Sequence, residues 1–136
     1  MIRAFLVLTL LGIIIGLATT EQVIINRVYG HMQRETTAII KMVESHNDTY
    51  NPDDFKFNDD VRVRIDKLHR YWLSRERNMT IIIRHIDLSL VGDALIYARN
   101  FIHFDNKEES MAGLARLDYL VHSYRNVFGL NGVNIL

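Results

Sequence analysis

The chain has 136 residues, 16 basic and 16 acidic side chains, one proline and no cysteine, and 49% of it is hydrophobic. That length suits one compact domain and excludes two large ones. The balanced charge gives no reason to expect a nucleic-acid partner, and the missing cysteines exclude disulfides, thiolate zinc sites and cysteine nucleophiles.

Residues 1–20, MIRAFLVLTLLGIIIGLATT, contain one charged side chain, Arg3, and residues 4–20 contain none. As a helix this run would be about 25 Å long, close to the roughly 30 Å of a bilayer's hydrocarbon core. It reads as a membrane anchor or as a signal peptide, since a basic start, an apolar stretch and the small residues Gly16 and Ala18 also suit cleavage. The anchor is preferred because the helical pattern continues past the run. Arg3 and the amino terminus precede the segment, while Arg27 and Arg34 follow it. The positive-inside rule therefore leans toward a cytoplasmic N-terminus in a single-pass protein of the cell membrane, with the bulk of the chain outside the cytoplasm. Gly12 and Gly16 form a GxxxG pair that lets two helix backbones approach in lipid, so the span is a candidate for self-association. Glycine is common in membrane helices in any case.

Residues 21–136 are nearly neutral and should fold in water. Ile24, Val28, Met32, Ile39 and Val43 trace one stripe, which predicts a helix over 21–45, running on from the span. Residues 46–56, HNDTYNPDDFK, form a connection. Asn51, Pro52, Asp53 and Asp54 resemble a capped helix start, so the second helix is expected to begin there or a turn later, near Asp59. Its stripe is Val61, Ile65, Leu68, Trp72, Met79, Ile82, Ile86 and Leu90, continuing through Ala94, Tyr97 and Phe101. A straight helix over 59–104 would be about 69 Å long, too long for this domain, so a bend is expected around 84–92, with Gly92 the natural place. Arg84, His85, Asp87 and Asp93 make a lipid span here costly, whereas on a water-soluble helix they point outward. Asp105 followed by Glu108 resembles a capping box that starts a last helix, with Met111, Leu114, Leu117, Val121, Tyr124 and Phe128 as its buried face and Gly129 as its stop. The tail LNGVNIL is expected to fold back on the bundle.

Candidate chemistry is sparse. His31 with Glu35 and Asp118 with His122 are spaced for a shared helix face, but a metal needs three converging ligands. His85 and Asp87 point to different sides and make no acid and base pair; a hydrogen bond or helix contact is the expected role of His85. Arg62, Arg64, Lys67, Arg70, Arg75 and Arg77 outnumber Asp66 and Glu76 on the second helix, a patch suited to lipid headgroups, anionic polymer or an acidic partner. Ordinary ion pairs such as Asp66 with Arg70, and the acids before the helix, also account for it. Asn47 and Asn78 begin glycosylation sequons. No nucleophile elbow, phosphate loop or paired-carboxylate site is present, so neither an enzyme nor a cofactor is expected.

Trp72, His85, Asp87 and Leu88, the Leu114 and Leu117 stripe, and Asn134 with Ile135 occur in an order that resembles a bacterial family of membrane-anchored helical proteins from low-GC Gram-positive bacteria, a domain of unknown function. The family typically carries a glutamate where Asp87 stands, and its connection corresponding to 46–56 is shorter. The resemblance implies anchoring and an all-helical fold, and no activity. The expected architecture is all-α: an N-terminal transmembrane helix or signal peptide over 1–20, then an antiparallel bundle of three to four helices over 21–136. The leading expectation for function is an extracytoplasmic interaction or structural module, with the bilayer as partner through residues 4–20. Its contact residues would be Trp72, His85, Asp87, Arg62 and Arg70, and a protein partner or self-association through Gly12 and Gly16 belongs to the same expectation. The alternatives are a secreted binding protein cleaved after Ala18 and a metal-dependent enzyme.

Overall fold

The computed structural model describes residues 2–45 and 55–128, which form four helices and no strand among the described residues: α1 (Ile2–Glu44), α2 (Asp59–Met79), α3 (His85–His103) and α4 (Lys107–Phe128). Each helix packs on its two neighbours in the order α1, α2, α3, α4 and back to α1. Tyr29 meets Trp72 while Glu35 meets Arg64, Trp72 meets Gly92 while Asp66 meets Arg99, and Asp87 meets Tyr124 while Ala98 meets Gly113. The chain is therefore an up-down-up-down bundle, all-α as expected.

The first helix is unbroken from the apolar run into the core. Its N-terminal half is exposed, with Phe5, Leu8, Leu11 and Ile14 among its uncovered side chains, whereas Ile25, Val28, Tyr29, Met32, Ile39 and Val43 are buried. The stripe differs from the expected one at Ile24, which is exposed, while Ile25 and Tyr29 take the inward positions. A helix turns slightly more than a strict i, i+4 series follows, so the face drifts by one residue.

The second helix begins at the later of the two expected starts. Asn58 is in an extended conformation and its side chain accepts a hydrogen bond from the Val61 amide at 3.0 Å. The start suggested at Asn51–Asp54 and the sequon at Asn47 lie outside the described residues, as does the tail after Phe128.

The break in the long apolar segment falls at residues 80–84 and not at Gly92. Thr80, Ile81, Ile82 and Ile83 are four consecutive β-branched residues, whose side chains crowd the preceding helical turn. The Thr80 amide still donates to the Glu76 carbonyl at 3.1 Å and the Ile83 amide to the Met79 carbonyl at 2.8 Å, after which the chain leaves helical geometry. Gly92 lies inside α3, where a Cβ would come within 3.2 Å of Trp72 Nε1; it serves close helix approach. Because the helix restarts at His85, the inward face resets to Asp87, Leu88, Val91, Ala94, Leu95, Ala98 and Ile102, and the expected Ile86 and Tyr97 are exposed.

The turn into α4 corrects the expected capping box by one residue. Asp105 has φ 58°, the Asn106 amide donates to the Phe101 carbonyl at 3.0 Å, and the Asp105 amide donates to the Ile102 carbonyl at 3.3 Å. These two bonds close α3 in a Schellman motif, with aspartate in the left-handed position that glycine usually fills. Asn106 then caps α4 by accepting from the Glu109 amide at 3.0 Å.

Candidate functional site

The positions singled out from the sequence fall into three places. Trp72 and Asp87 lie in the core near the end of the bundle where α1 enters; Asp87, expected to point outward, turns inward because α3 restarts at His85. Trp72 is 1% exposed, and its ring stands 6.3 Å from that of Tyr29, which in turn is 6.2 Å from the ring of Tyr124. Asp87, in the first turn of α3, accepts from Arg84 Nε at 2.9 Å and from the Tyr124 hydroxyl at 3.2 Å. A carboxylate there also faces the positive end of the helix dipole.

The two phenols of this cluster are held in their neutral form. Burial pushes the Tyr29 hydroxyl well above the ordinary tyrosine range, and the nearby Tyr124 and Asp87 push the same way. Burial likewise raises Tyr124, with Asp87 adding to it by charge and hydrogen bond. Both phenols stay neutral, and the Asp87 oxygens already hold two donors. The Tyr29 hydroxyl and Trp72 Nε1 are buried without hydrogen-bond partners among the described residues. The arrangement orients helices and offers packing surface.

His85 and Arg70 are on the surface. His85 opens α3, and its Nδ1 lies 3.1 Å from Ser89 Oγ, a local contact on a different side from Asp87. This contact is of the local kind expected of His85, made by an exposed side chain and not a buried one. Arg70 is exposed, and the suggested Asp66 and Arg70 pair is replaced by a longer-range one. Asp66 accepts from Arg99 Nε at 2.6 Å and lies 3.0 Å from His103 Nε2, because α3 presents both groups across the α2 and α3 seam. Gly12 and Gly16 stand on the exposed half of α1, where an added Cβ would meet nothing within 4 Å.

Arg62 is structural. It donates to Asp105 Oδ1 at 2.6 Å, and the Phe57 amide donates to the same oxygen at 2.8 Å, tying the start of α2 to the turn between α3 and α4. Arg64 donates to Glu35 at 2.8 Å. The basic patch of α2 is thus divided: its first part is neutralised by Asp105 and Glu35, and its last part, with Arg70, Arg75 and Arg77, faces solvent. The neutralising partners were not visible in the sequence, since they lie 43 and 29 residues away.

The two suggested metal pairs are not joined by a third ligand. His31 stacks on Tyr71 at 4.2 Å and Glu35 is held by Arg64, while His122 meets Gln33 and Asn126. Among the described residues no three His, Asp or Glu side chains converge in a geometry that could hold a metal ion. Tyr29 and Gln33 were missed by sequence reasoning, and Asp105 was read as a helix cap and not as the partner of Arg62. A strict 3.6-residue period would have found Tyr29, but nothing local marks Gln33.

Among the described residues one helix, α1, is apolar and long enough to cross a membrane, its apolar stretch having a mean hydropathy of 1.9 and being 6% buried. No family model, curated protein or solved structure matches the chain.

Proposed function

We propose that the chain is a single-span membrane protein whose helical bundle is held outside the cytoplasm as an interaction or structural module. The observation that carries this reading is the two-part character of one continuous helix. The exposed half of α1 displays large apolar side chains on all sides, far beyond the scattered apolar surface of a soluble domain, while its other half supplies one wall of the core. A bilayer covers the first half as the bundle covers the second. The resemblance to anchored helical proteins of low-GC Gram-positive bacteria belongs to the same proposal, as does pairing of spans through Gly12 and Gly16, whose faces are open.

A second reading is a secreted binding protein. Core contacts of α1 start at Ile25, so cleavage after Ala18 would leave every buried residue in place. Cell fractionation with N-terminal sequencing separates the two. The anchor reading expects the intact N-terminus in the membrane fraction, resistant to carbonate extraction, and a mature chain beginning at Thr19 in the medium would overturn it. Protease protection on intact cells tests orientation: digestion of the bundle from outside is the expected result.

A further inference from the structure

We propose that the end of the bundle nearest the span is a docking face for anionic phospholipid headgroups, with the 80–84 turn lying in the interfacial layer of the bilayer. The proposal rests on the anchor reading. Since α1 has no break, helix rise sets the height of the bundle above the apolar run. Ile25 stands about 7.5 Å beyond Thr20 and Arg27 about 10 Å beyond it. The headgroup region on each side of a bilayer is roughly 5–8 Å deep, so the base of the bundle lies against it. Antiparallel packing brings the end of α2, the 80–84 turn, the start of α3 and the end of α4 to this same level.

The chemistry of that end fits a lipid surface. Ile81, at 88%, is the most exposed large apolar side chain among the described residues, and Val127 is also uncovered. Arg27, Arg75, Arg77 and Arg84 belong to the same end of the bundle, against Glu21, Glu76 and Asp87, and Asp87 is itself buried under Arg84, while Arg125 reaches up to Gln33. The opposite end reverses the balance, with Lys41, Lys56, Arg62 and Lys107 against Glu44, Asp59, Asp60, Asp105, Glu108 and Glu109. An apolar tip ringed by arginines is the pattern of interfacial contact with anionic lipid.

Between α1 and α2 at this end lies a cleft of about 170 Å³. Ile24, Val28 and Met79 contribute apolar wall, and Arg27 and Arg75 both line it with no acid among the lining residues. Two arginines lining one cleft can both reach a single bound anion, and the planar fork of arginine matches phosphate oxygens. The Tyr71 ring, also lining the cleft, lies 5.6 Å from the Arg75 guanidinium carbon.

The absence of cysteine makes the test direct, because single cysteines can be labelled in the full chain. Ile81→Cys, Glu108→Cys and Ile13→Cys, each carrying a fluorophore, are reconstituted in nanodiscs of phosphatidylcholine with or without phosphatidylglycerol. Quenchers attached to lipid are compared with quenchers in water. The expected result is lipid quenching at 81 in the anionic discs, aqueous quenching at 108, and lipid quenching at 13 in both. Arg27→Gln, Arg75→Gln and Arg77→Gln combined are expected to shift the docked-to-undocked ratio at 81 by on the order of a hundredfold. Salt near 0.5 M, where the Debye length is about 4 Å, should act in the same direction. Lipid quenching at 13 with aqueous quenching at 81 overturns the docking face and leaves the anchor intact, whereas aqueous quenching at 13 overturns the anchor reading itself. Equal lipid quenching at 81 in both disc types overturns the anionic specificity. A label at 81 shielded from both quenchers means that protein covers the face, and also overturns the proposal.

Discussion

Trp72 joins three helices through one side chain: it sits on α2, faces Tyr29 of α1 and fills the space that Gly92 leaves on α3. Trp72→Ala is expected to cost about 3–5 kcal/mol, as a large buried aromatic does when its volume becomes a cavity; a thermal or urea unfolding curve that hardly moves would place the residue outside the core. The glycines differ in a way that a matched pair of alanine substitutions exposes. At Gly113 an added Cβ would lie 2.9 Å from backbone atoms of Ala98, which cannot give way without moving α3 from α4. At Gly30 the nearest atoms are arginine side-chain atoms at 3.7 and 3.9 Å. Gly113→Ala should therefore destabilise by roughly 1–3 kcal/mol, the range of core overpacking. Gly30→Ala should stabilise by about 0.5–1 kcal/mol, from helix propensity and a less flexible unfolded chain. Opposite signs in chemical denaturation are the result to look for; equal signs would show that the α3 and α4 contact is looser than described.

Helix ends, more than helix interiors, set the layout of the bundle. Asn58 and Asn106 each accept a hydrogen bond from an amide in the first turn of the helix that follows. Removing either side chain leaves that donor without its partner, so Asn58→Ala and Asn106→Ala should each cost about 1 kcal/mol. The two should add nearly independently, since they cap different helices. A double-mutant cycle by urea denaturation checks both magnitude and additivity. The 80–84 turn shows how a break can be written without glycine or proline: four β-branched residues in a row weaken the helix where Ile83 turns inward and Ile81 outward.

For the molecule as a whole, two buried-edge carboxylates link stability to pH. Burial by itself raises the pKa of Asp66, but hydrogen bonds and charge from His103 and Arg99 outweigh it and hold the carboxyl below the ordinary aspartate value. At Asp105 burial is likewise outweighed, by Arg62 and the Phe57 amide. A folded-state pKa below the unfolded one means that the unfolded chain binds protons more readily as pH falls. The stabilisation is fully present above the unfolded aspartate value of about 3.9 and is lost as pH drops through the lower folded values. Unfolding free energy should thus fall steeply below about pH 4, and Asp66→Asn with Asp105→Asn should flatten that slope while lowering stability at neutral pH. An unchanged slope in the double variant would assign acid sensitivity to other carboxylates.

Helical class, the apolar first segment and the identity of Trp72, Val61, Ile65 and Leu68 as core residues were all legible in the chain, because they depend on periodicity and on contiguous hydropathy, which are local. The length argument also required a break somewhere in 59–104. Its place was misjudged because Gly92 looks like a breaker in isolation and is a contact surface once Trp72 lies against it. The pairing of Arg62 with Asp105 and of Arg64 with Glu35, and the separation of a cationic base from an acidic far end, depend on which helices are neighbours, whereas the cap at Asn106 is local and was misplaced by a single residue. Neighbourhood arises from long-range packing between residues tens of positions apart, and no local pattern encodes it.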